Sequence, residues 1–138
     1  MSNQLIDQLI LNIFLTERII HQRIGLVSKK SYPLIYYIIL RFIEENEPQM
    51  AEIANFLSIK PPSATFLINK LIKSRLVKRA RITNDRRKTK ILLTLKGKKI
   101  IEKEIKKSSG SLKKIFSCLN QKEQRELIKI LTKIRSSK

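Results

Sequence analysis

The side chains with the clearest chemical potential are the cations between residues 60 and 99. This segment holds 14 Lys or Arg and one acid, Asp85, whereas residues 1–59 hold 5 bases and 6 acids and residues 100–138 hold 11 bases and 4 acids. Positive charge at this density attracts polyanions. Nucleic acid is therefore the first class of partner to consider, and an anionic membrane surface is the second.

Polar side chains at helical spacing lie among these cations. Residues 61–74 begin with two prolines and repeat an apolar face made of Ala64, Leu67, Ile68 and Leu71. The other side carries hydroxyl, amide, cationic and aromatic groups, namely Pro62, Ser63, Thr65, Phe66, Asn69, Lys70 and Lys73. Such groups bind base edges in the DNA major groove and phosphate near a helix start.

Three of these side chains have an alternative interpretation. Phe66 is equally compatible with contact to thymine methyl groups and with packing into the core. Asn69 and Lys70 are also compatible with an ordinary solvated helix face, which the neighbouring charge disfavours.

A second cationic group flanks a turn-prone segment. Residues 76–82 and 88–95 are rich in β-branched and apolar residues and enclose Thr83-Asn84-Asp85-Arg86-Arg87, which predicts a β-hairpin with a basic tip. Arginine at such a tip suits a narrow minor groove. The hairpin residues that we assign to a DNA site are Arg79, Arg81, Asp85, Arg86, Arg87, Lys88 and Lys90.

Other chemistry finds little support in the sequence. With three glycines there is no phosphate-binding glycine loop, and no nucleophile with a base or pair of carboxylates stands out, so we predict no enzyme activity, catalytic residue, metal or cofactor. His21 is interpreted as a structural or surface histidine and Cys118 as a packed thiol rather than a redox sensor.

The cellular setting is predicted from the same absences. A single cysteine cannot form an intramolecular disulfide, and the first residues lack the pattern of a secretory leader, so we expect a cytoplasmic protein. The longest apolar run is residues 34–40, far shorter than the ~20 residues of a membrane-spanning helix. We therefore expect no membrane partner.

The elements that must position these groups are mainly helical. Apolar periodicity predicts helices over residues 3–24, from Pro33 to about residue 46, over 49–57 and from Pro61 to about 74. Thr94 can cap a helix that residues 108–111 interrupt, and Asn120 with Glu123 resembles a capping box for a last helix. Helices 49–57 and 61–74, joined by three residues, form a helix-turn-helix pattern.

The predicted fold is mainly α with a small β-hairpin wing. We divide it into an N-terminal dimerisation helix over 1–30, a winged helix-turn-helix DNA-binding core over 31–97 and C-terminal dimerisation helices over 98–138. The apolar stripe from Leu5 to Ile24 is too wide for one small domain to cover. A second subunit would cover it, and packing on the chain's own C-terminal helix is the alternative.

In their order these segments resemble the multiple antibiotic resistance regulator (MarR) family. The resemblance rests on Glu52-Ile53-Ala54, Leu76-Val77-Lys78-Arg79, Asn84-Asp85-Arg86-Arg87 and, most specifically, the strand end Leu93-Thr94-Leu95-Lys96-Gly97. It covers about residues 30–105.

The resemblance implies a homodimeric, double-stranded DNA-binding transcription regulator under small-molecule control. It also implies that Arg87 enters the minor groove while Asp85 braces the wing, for which a plain solvated turn is the alternative. Two positions depart from the family pattern: Arg75 replaces a glycine, and Lys60 replaces a small hydroxylated cap. A non-glycine residue at positive φ at position 75 would cost roughly 1 kcal/mol.

Two other functions remain open on the sequence alone. The high charge also suits a chromosome-architectural or weakly specific nucleic-acid binder, which the ratio of specific to nonspecific affinity would distinguish. A protein-interaction module, or one that approaches anionic membranes through its lysines, is a third hypothesis, against which the basic helix and wing argue.

Overall fold

Six helices and one β-hairpin follow one another along the part of the chain that the computed structural model describes, which is residues 3–25, 33–82 and 85–137. In chain order they are α1 (Asn3–Gly25), α2 (Leu34–Asn46), α3 (Met50–Leu57), α4 (Pro61–Lys73), β1 (Val77–Ile82), β2 (Asp85–Leu93), α5 (Leu95–Phe116) and α6 (Gln121–Ser136). The chain divides into two compact units. We call Ser31–Ile105 the core unit, and Met1–Lys30 with Lys106–Lys138 the terminal unit.

The core unit is organised around α2. Its buried side consists of Ile39, Leu40 and Ile43, and it shares one apolar cluster with Ile53, Ile68, Leu71, Leu76, Val77, Ile91, Leu93 and Ile101. Helical spacing would also allow Ile35 and Ile38 on the buried face of α2, but they are 37% and 42% exposed. All residues from 34 to 40 are apolar, so periodicity cannot tell which side of this helix is buried.

Helices α3 and α4 form the predicted helix-turn-helix. The N–H of Gln49 donates to Glu52 Oε1 at 3.1 Å at the start of α3, and Ser58 ends that helix with a left-handed φ of 54°. The predicted inward face of α4 is confirmed, because Ala64, Ile68 and Leu71 are buried. The pair is thus fixed by its apolar sides, and the outer side of α4 is left to solvent.

The hairpin is antiparallel and pairs Val77 with Leu93 at its base. Its register shifts between Arg81 and Ile82, and Ile82 pairs with Asp85. The predicted turn over residues 83–87 is therefore too long: Asp85, Arg86 and Arg87 belong to β2, because the backbone of turn-prone residues can pair as well as any other. Thr83 and Asn84 lie outside the described residues.

A short extended segment borders β2 on its other side. Gln49 forms an isolated bridge with Lys90, and the N–H of Ile91 donates to Pro48 O at 2.8 Å. Since Gln49 also precedes the first residue of α3, this bridge ties the start of the helix-turn-helix to the hairpin.

Helix α5 begins as predicted and continues further than predicted. Thr94 Oγ1 accepts the N–H of Gly97 at 3.1 Å, which is an N-terminal cap. The helix then runs to Phe116 through the predicted break at residues 108–111. Serine and glycine weaken a helix by at most about 1 kcal/mol each and keep their N–H donors, so unlike proline they do not interrupt it.

The terminal unit contains α1 and α6. In α6, Asn120 Oδ1 accepts the N–H of Glu123 at 2.8 Å and Glu123 Oε1 accepts the N–H of Asn120 at 3.1 Å, which confirms the predicted capping box. Both helices expose large apolar side chains in the single chain, among them Leu9, Ile10, Phe14, Ile128, Leu131 and Ile134. No helix in the described ranges is long and apolar enough to span a bilayer.

Candidate nucleic-acid interface

The outer face of α4, which we define as Pro62, Ser63, Phe66, Asn69, Lys70 and Lys73, is exposed along its whole length. These are the predicted recognition residues with one exception. Thr65 is only partly exposed, and its hydroxyl donates to Pro61 O at 3.0 Å within the helix. The face therefore offers a hydroxyl, an amide, two ammonium groups and an aromatic ring to solvent.

The start of α4 has no backbone N–H group to offer a ligand. Its first two residues are prolines, which lack an N–H. The N–H groups of Ser63 and Ala64 both donate to Lys60 O, at 3.0 and 3.2 Å. A phosphate near this helix start must therefore be held by side chains such as Lys60 and Ser63 rather than by the backbone amides that usually serve there.

Phe66 points outward and carries a cation. It is 60% exposed, so of its two predicted orientations the structure has the solvent-facing one. The ammonium nitrogen of Lys70 lies 4.5 Å from the centre of its ring, within cation–π range. An apolar ring therefore lies next to a positive charge on the outer face of α4.

Asn69 joins α4 to the hairpin. Nη2 of Arg79 on β1 donates to Asn69 Oδ1 at 2.9 Å, and both side chains are exposed. The recognition helix and the first strand therefore share one polar surface. Neither periodicity nor spacing signals this contact, because it joins two elements whose relative placement depends on the folded core.

The register separates the cations of the hairpin into two faces. Arg79 lies opposite Ile91 and Arg81 opposite Thr89, on the same face as the buried pair Val77 and Leu93. Lys90 lies opposite Ala80 on the other face and is partly buried. Arg79 and Arg81 are therefore on the hairpin face shared with the α4 contact, and Lys90 is not.

Comparisons with known proteins agree with this geometry. A family model described as MarR family matches residues 31–88. This segment belongs to the MarR family. The resemblance inferred from the sequence is thereby confirmed for the helix-turn-helix and most of the hairpin.

Solved structures show that the MarR fold extends over nearly the whole chain. A mutant of MarR from E. coli complexed with operator DNA has a TM-score of 0.80 at 20% identity, with 94% of each chain covered. The MepR–DNA complex from S. aureus has a TM-score of 0.74 at 19% identity and covers 91% of this chain and 94% of its own.

A third similar structure concerns regulation of DNA binding. BpsR of Bordetella bronchiseptica, in a study of its regulation by 6-hydroxynicotinic acid, has a TM-score of 0.73 at 16% identity and covers 91% of this chain and 93% of its own. A search of curated proteins found no significant match. The predicted class, mainly α with a hairpin wing, is confirmed.

At position 75, where Arg75 replaces the glycine of the MarR family pattern, the backbone has the positive φ that we considered from the sequence. Arg75 has a φ of 62°, the left-handed conformation that usually selects glycine after a helix. Its N–H donates to Ile72 O at 2.9 Å, and that of Leu76 donates to Leu71 O at 3.0 Å. These two bonds form a Schellman motif, and the buried Leu76 and Leu71 supply its apolar contact.

The MarR-like strand end around Thr94 holds this turn in place. The hydroxyl of Thr94 donates to Arg75 O at 2.6 Å, and its N–H donates to Leu76 O at 3.1 Å. Lys96 Nζ donates to Ser74 O at 3.0 Å. A Cβ on Gly97 would lie 2.2 Å from Leu76 O, so this glycine permits the close approach. We refer to these contacts as the α4–α5 joint.

The remaining predicted wing residues differ in what the structure describes. Lys88 on β2 and Arg81 on β1 are exposed. The backbones of Asp85, Arg86 and Arg87 belong to β2. The side chains of these three residues are not among those that the structure describes. Their roles at the wing stay predictions.

Of two further residues outside the MarR-type segment, Cys118 is placed differently from what we expected and His21 is placed as expected. Cys118 is exposed in the chain rather than packed, because the turn between α5 and α6 leaves its thiol at the surface, directed to Ile115 O at 3.6 Å. His21 is a surface residue 3.5 Å from Glu17 Oε1, one helical turn away. Among the residues that can be described, no cluster of three or more His, Cys, Asp or Glu could hold a metal.

Proposed function

We propose that this chain is a sequence-specific, double-stranded DNA-binding transcription regulator that acts as a homodimer. The outer face of α4 lies in the major groove, and the wing, with Arg86 and Arg87, lies in the adjacent minor groove. The observation that carries the proposal is the exposed outer face of α4 on a helix whose opposite side is buried. Solved relatives of the same fold are DNA complexes.

The predicted contacts divide by chemistry. We assign Asn69 and Lys70 to base edges. We assign Ser63 and Lys60 to phosphates, because the start of α4 has no free N–H. Phe66 offers an apolar edge that suits a thymine methyl group. Arg79, Arg81 and Lys88 supply further positive charge from the hairpin.

Dimerisation and effector control complete the proposal. Exposed apolar side chains on α1 and α6 supply the surface for a second copy, and a two-fold dimer matches a pseudo-palindromic operator. A small molecule is proposed as the effector because BpsR is regulated by one and a similar regulator, RdhR, binds 2,4-dichlorophenol. We propose a cytoplasmic, non-enzymatic protein.

The test is the ratio of specific to nonspecific affinity at one fixed salt concentration. Protection mapping on genomic fragments identifies the preferred site, and titration compares it with a scrambled duplex. A regulator is expected to prefer its site by about 10³-fold or more. A ratio near one would instead support the chromosome-architectural alternative, for which the net charge of +19 is the favouring observation.

The placement of α4 is tested by Lys70→Ala, with Lys113→Ala on α5 as a matched loss of one exposed charge. If α4 lies in the major groove, Lys70→Ala alters the selected sequence and Lys113→Ala does not. An unaltered binding-site profile for Lys70→Ala would contradict the assignment of α4 as recognition helix.

A further inference from the structure

We propose that Asn69 and Arg79 act as one donor-only pair that selects guanine over adenine in the major groove. The inference rests on the proposed function, because it concerns which base α4 contacts. Its starting observation is the 2.9 Å hydrogen bond from Arg79 Nη2 to Asn69 Oδ1 on the exposed surface of the core unit.

The chemistry of arginine fixes the orientation of the Asn69 amide. Arginine has five N–H donors and no acceptor, so the atom of Asn69 that faces Arg79 must be the carbonyl oxygen. The Nδ2 amide, with two donors, then points away from Arg79. Among the described residues no acceptor binds Nδ2, so both of its hydrogens are available to a ligand.

The same bond weakens the usual advantage of asparagine for adenine, because it occupies one of the two lone pairs of the carbonyl oxygen. Asparagine recognises adenine by donating to N7 while its carbonyl accepts from the N6 amino group. Here that carbonyl already accepts from a cationic group. An adenine amino group would have to approach it beside the guanidinium, donor facing donor.

Guanine matches the donors that remain. Its major-groove edge presents two acceptors, N7 and O6, whereas adenine presents one acceptor and one donor, thymine one acceptor beside a methyl group, and cytosine a donor. Asn69 Nδ2 and the unused N–H groups of Arg79 supply donors from two elements held at a fixed separation. Guanine is therefore the base that satisfies the pair without an opposed donor.

Selection from a random duplex library tests the pair. The wild-type protein is expected to enrich one motif. The variant Asn69→Asp still accepts a hydrogen bond from Arg79 but has no amide donor. The motif position at which this variant changes the base preference is therefore the position that Asn69 contacts. At that position wild type is expected to favour guanine over adenine by about 5- to 150-fold.

Two further variants separate geometry from charge. Arg79→Met frees Asn69 Oδ1, so the guanine preference should fall and adenine should be accepted at the same position. Arg41→Met removes one exposed arginine from α2, and the preference should stay as in wild type. Thermal unfolding of each variant verifies that the core unit is intact.

The outcomes distinguish this inference from the function on which it rests. A wild-type protein that enriches no motif overturns the proposed function. If the wild-type protein does enrich a motif, three results would contradict the Asn69–Arg79 pair and leave the proposed function standing. They are an unchanged preference at every position in Asn69→Asp, a base other than guanine at the identified position, and a wild-type preference in Arg79→Met. A uniform loss of affinity on all sequences in Asn69→Asp and Arg79→Met would assign both residues to phosphate and likewise overturn the pair.

Discussion

Arg75 and Gly97 lie on opposite sides of the α4–α5 joint and illustrate two different demands of one turn. Position 75 must adopt a left-handed φ, which an arginine can do at a cost, whereas position 97 must lack a Cβ, which no other residue can do. The chain tolerates a non-glycine residue at the first position and keeps glycine at the second. The reason is that the backbone strain at position 75, about 1 kcal/mol, costs less than the overlap of a Cβ at position 97 with a backbone oxygen.

Replacing Arg75 by glycine should stabilise the fold. Relief of the left-handed strain, about 1 kcal/mol, is partly offset by the greater freedom of glycine in the unfolded chain, about 0.4–1 kcal/mol, so we expect a gain of up to about 0.6 kcal/mol. Urea denaturation measures this gain in the free energy of unfolding, provided that the dependence of this free energy on urea concentration is the same in both proteins. Arg41→Gly, the same substitution at an exposed position of α2, should lose about 1 kcal/mol. Equal losses in both variants would show that φ at position 75 carries no strain.

Replacing Gly97 by alanine should destabilise the core unit. The added methyl would lie 2.2 Å from Leu76 O, so strand end and helix must move apart at a cost of about 1–3 kcal/mol. Lys98→Ala, at the next and exposed position, should stay within about 0.5 kcal/mol of wild type. The close approach would be disproved if both variants unfolded at the same denaturant concentration.

At the scale of elements, α4 and the hairpin are positioned from their buried sides and act from their exposed sides. The apolar cluster fixes α4 through Ile68 and Leu71 and the hairpin through Val77 and Ile91. The Asn69–Arg79 bond then links the two outer surfaces. The candidate interface therefore comprises side chains from two elements.

The wing prediction concerns Arg87, whose backbone is in β2. Arg87→Ala should weaken DNA binding and leave the fold intact. If the residue contacts phosphate, the slope of log affinity against log salt should fall by about 1. If it lies in a narrow minor groove, the loss should be greatest on sites with A·T-rich flanks.

Titrations at several salt concentrations, on operators with A·T-rich and G·C-rich flanks, separate these two contacts. Arg125→Ala on α6 is the control for the loss of one charge. Wild-type affinity and salt slope for Arg87→Ala on every site would place the wing outside the DNA interface and favour an adaptor role.

Sequence patterns predicted the elements better than their ends and contacts. The helical period of α4 and the capping box of α6 are local signals, and both are confirmed. The predicted turn at 83–87 and the predicted break at 108–111 were wrong because turn-prone residues have weak preferences that pairing and helix continuation override. The Asn69–Arg79 bond and the α4–α5 joint depend on tertiary placement, so no local pattern reports them.

At the scale of the whole molecule, both units are basic, and the terminal unit is distinguished by its exposed apolar side chains. Residues 60–99 hold 14 of the 30 bases, while α1 and α6 expose rows of large apolar side chains in the single chain. Such rows are unusual for a monomer and typical of an interface. The apolar rows suit the terminal unit to binding a second copy, and the dense cations of residues 60–99 suit the core unit to binding a polyanion.

Dimerisation is tested by Ile128→Glu, since Ile128 is 64% exposed in the single chain and its loss should not disturb the fold of one subunit. A buried charge at the interface should shift the dimer toward monomer at micromolar concentration. Light scattering across a dilution series measures this shift. Gln121→Glu, which adds the same charge in the exposed first turn of α6, should remain dimeric, and a wild-type protein that is already monomeric would refute the prediction.

The bond between Asn69 and Arg79 also has a consequence for protein engineering. A recognition helix grafted from another regulator would place a different residue at position 69. Arg79 would then have a hydrogen-bond acceptor on a side chain of different length, or no acceptor at all. Substitutions at the two positions should therefore be epistatic, and a library that varies α4 alone would sample mostly mismatched combinations. If the pair selects a base as proposed, we expect retargeting to a new operator to succeed more often when positions 69 and 79 are varied together.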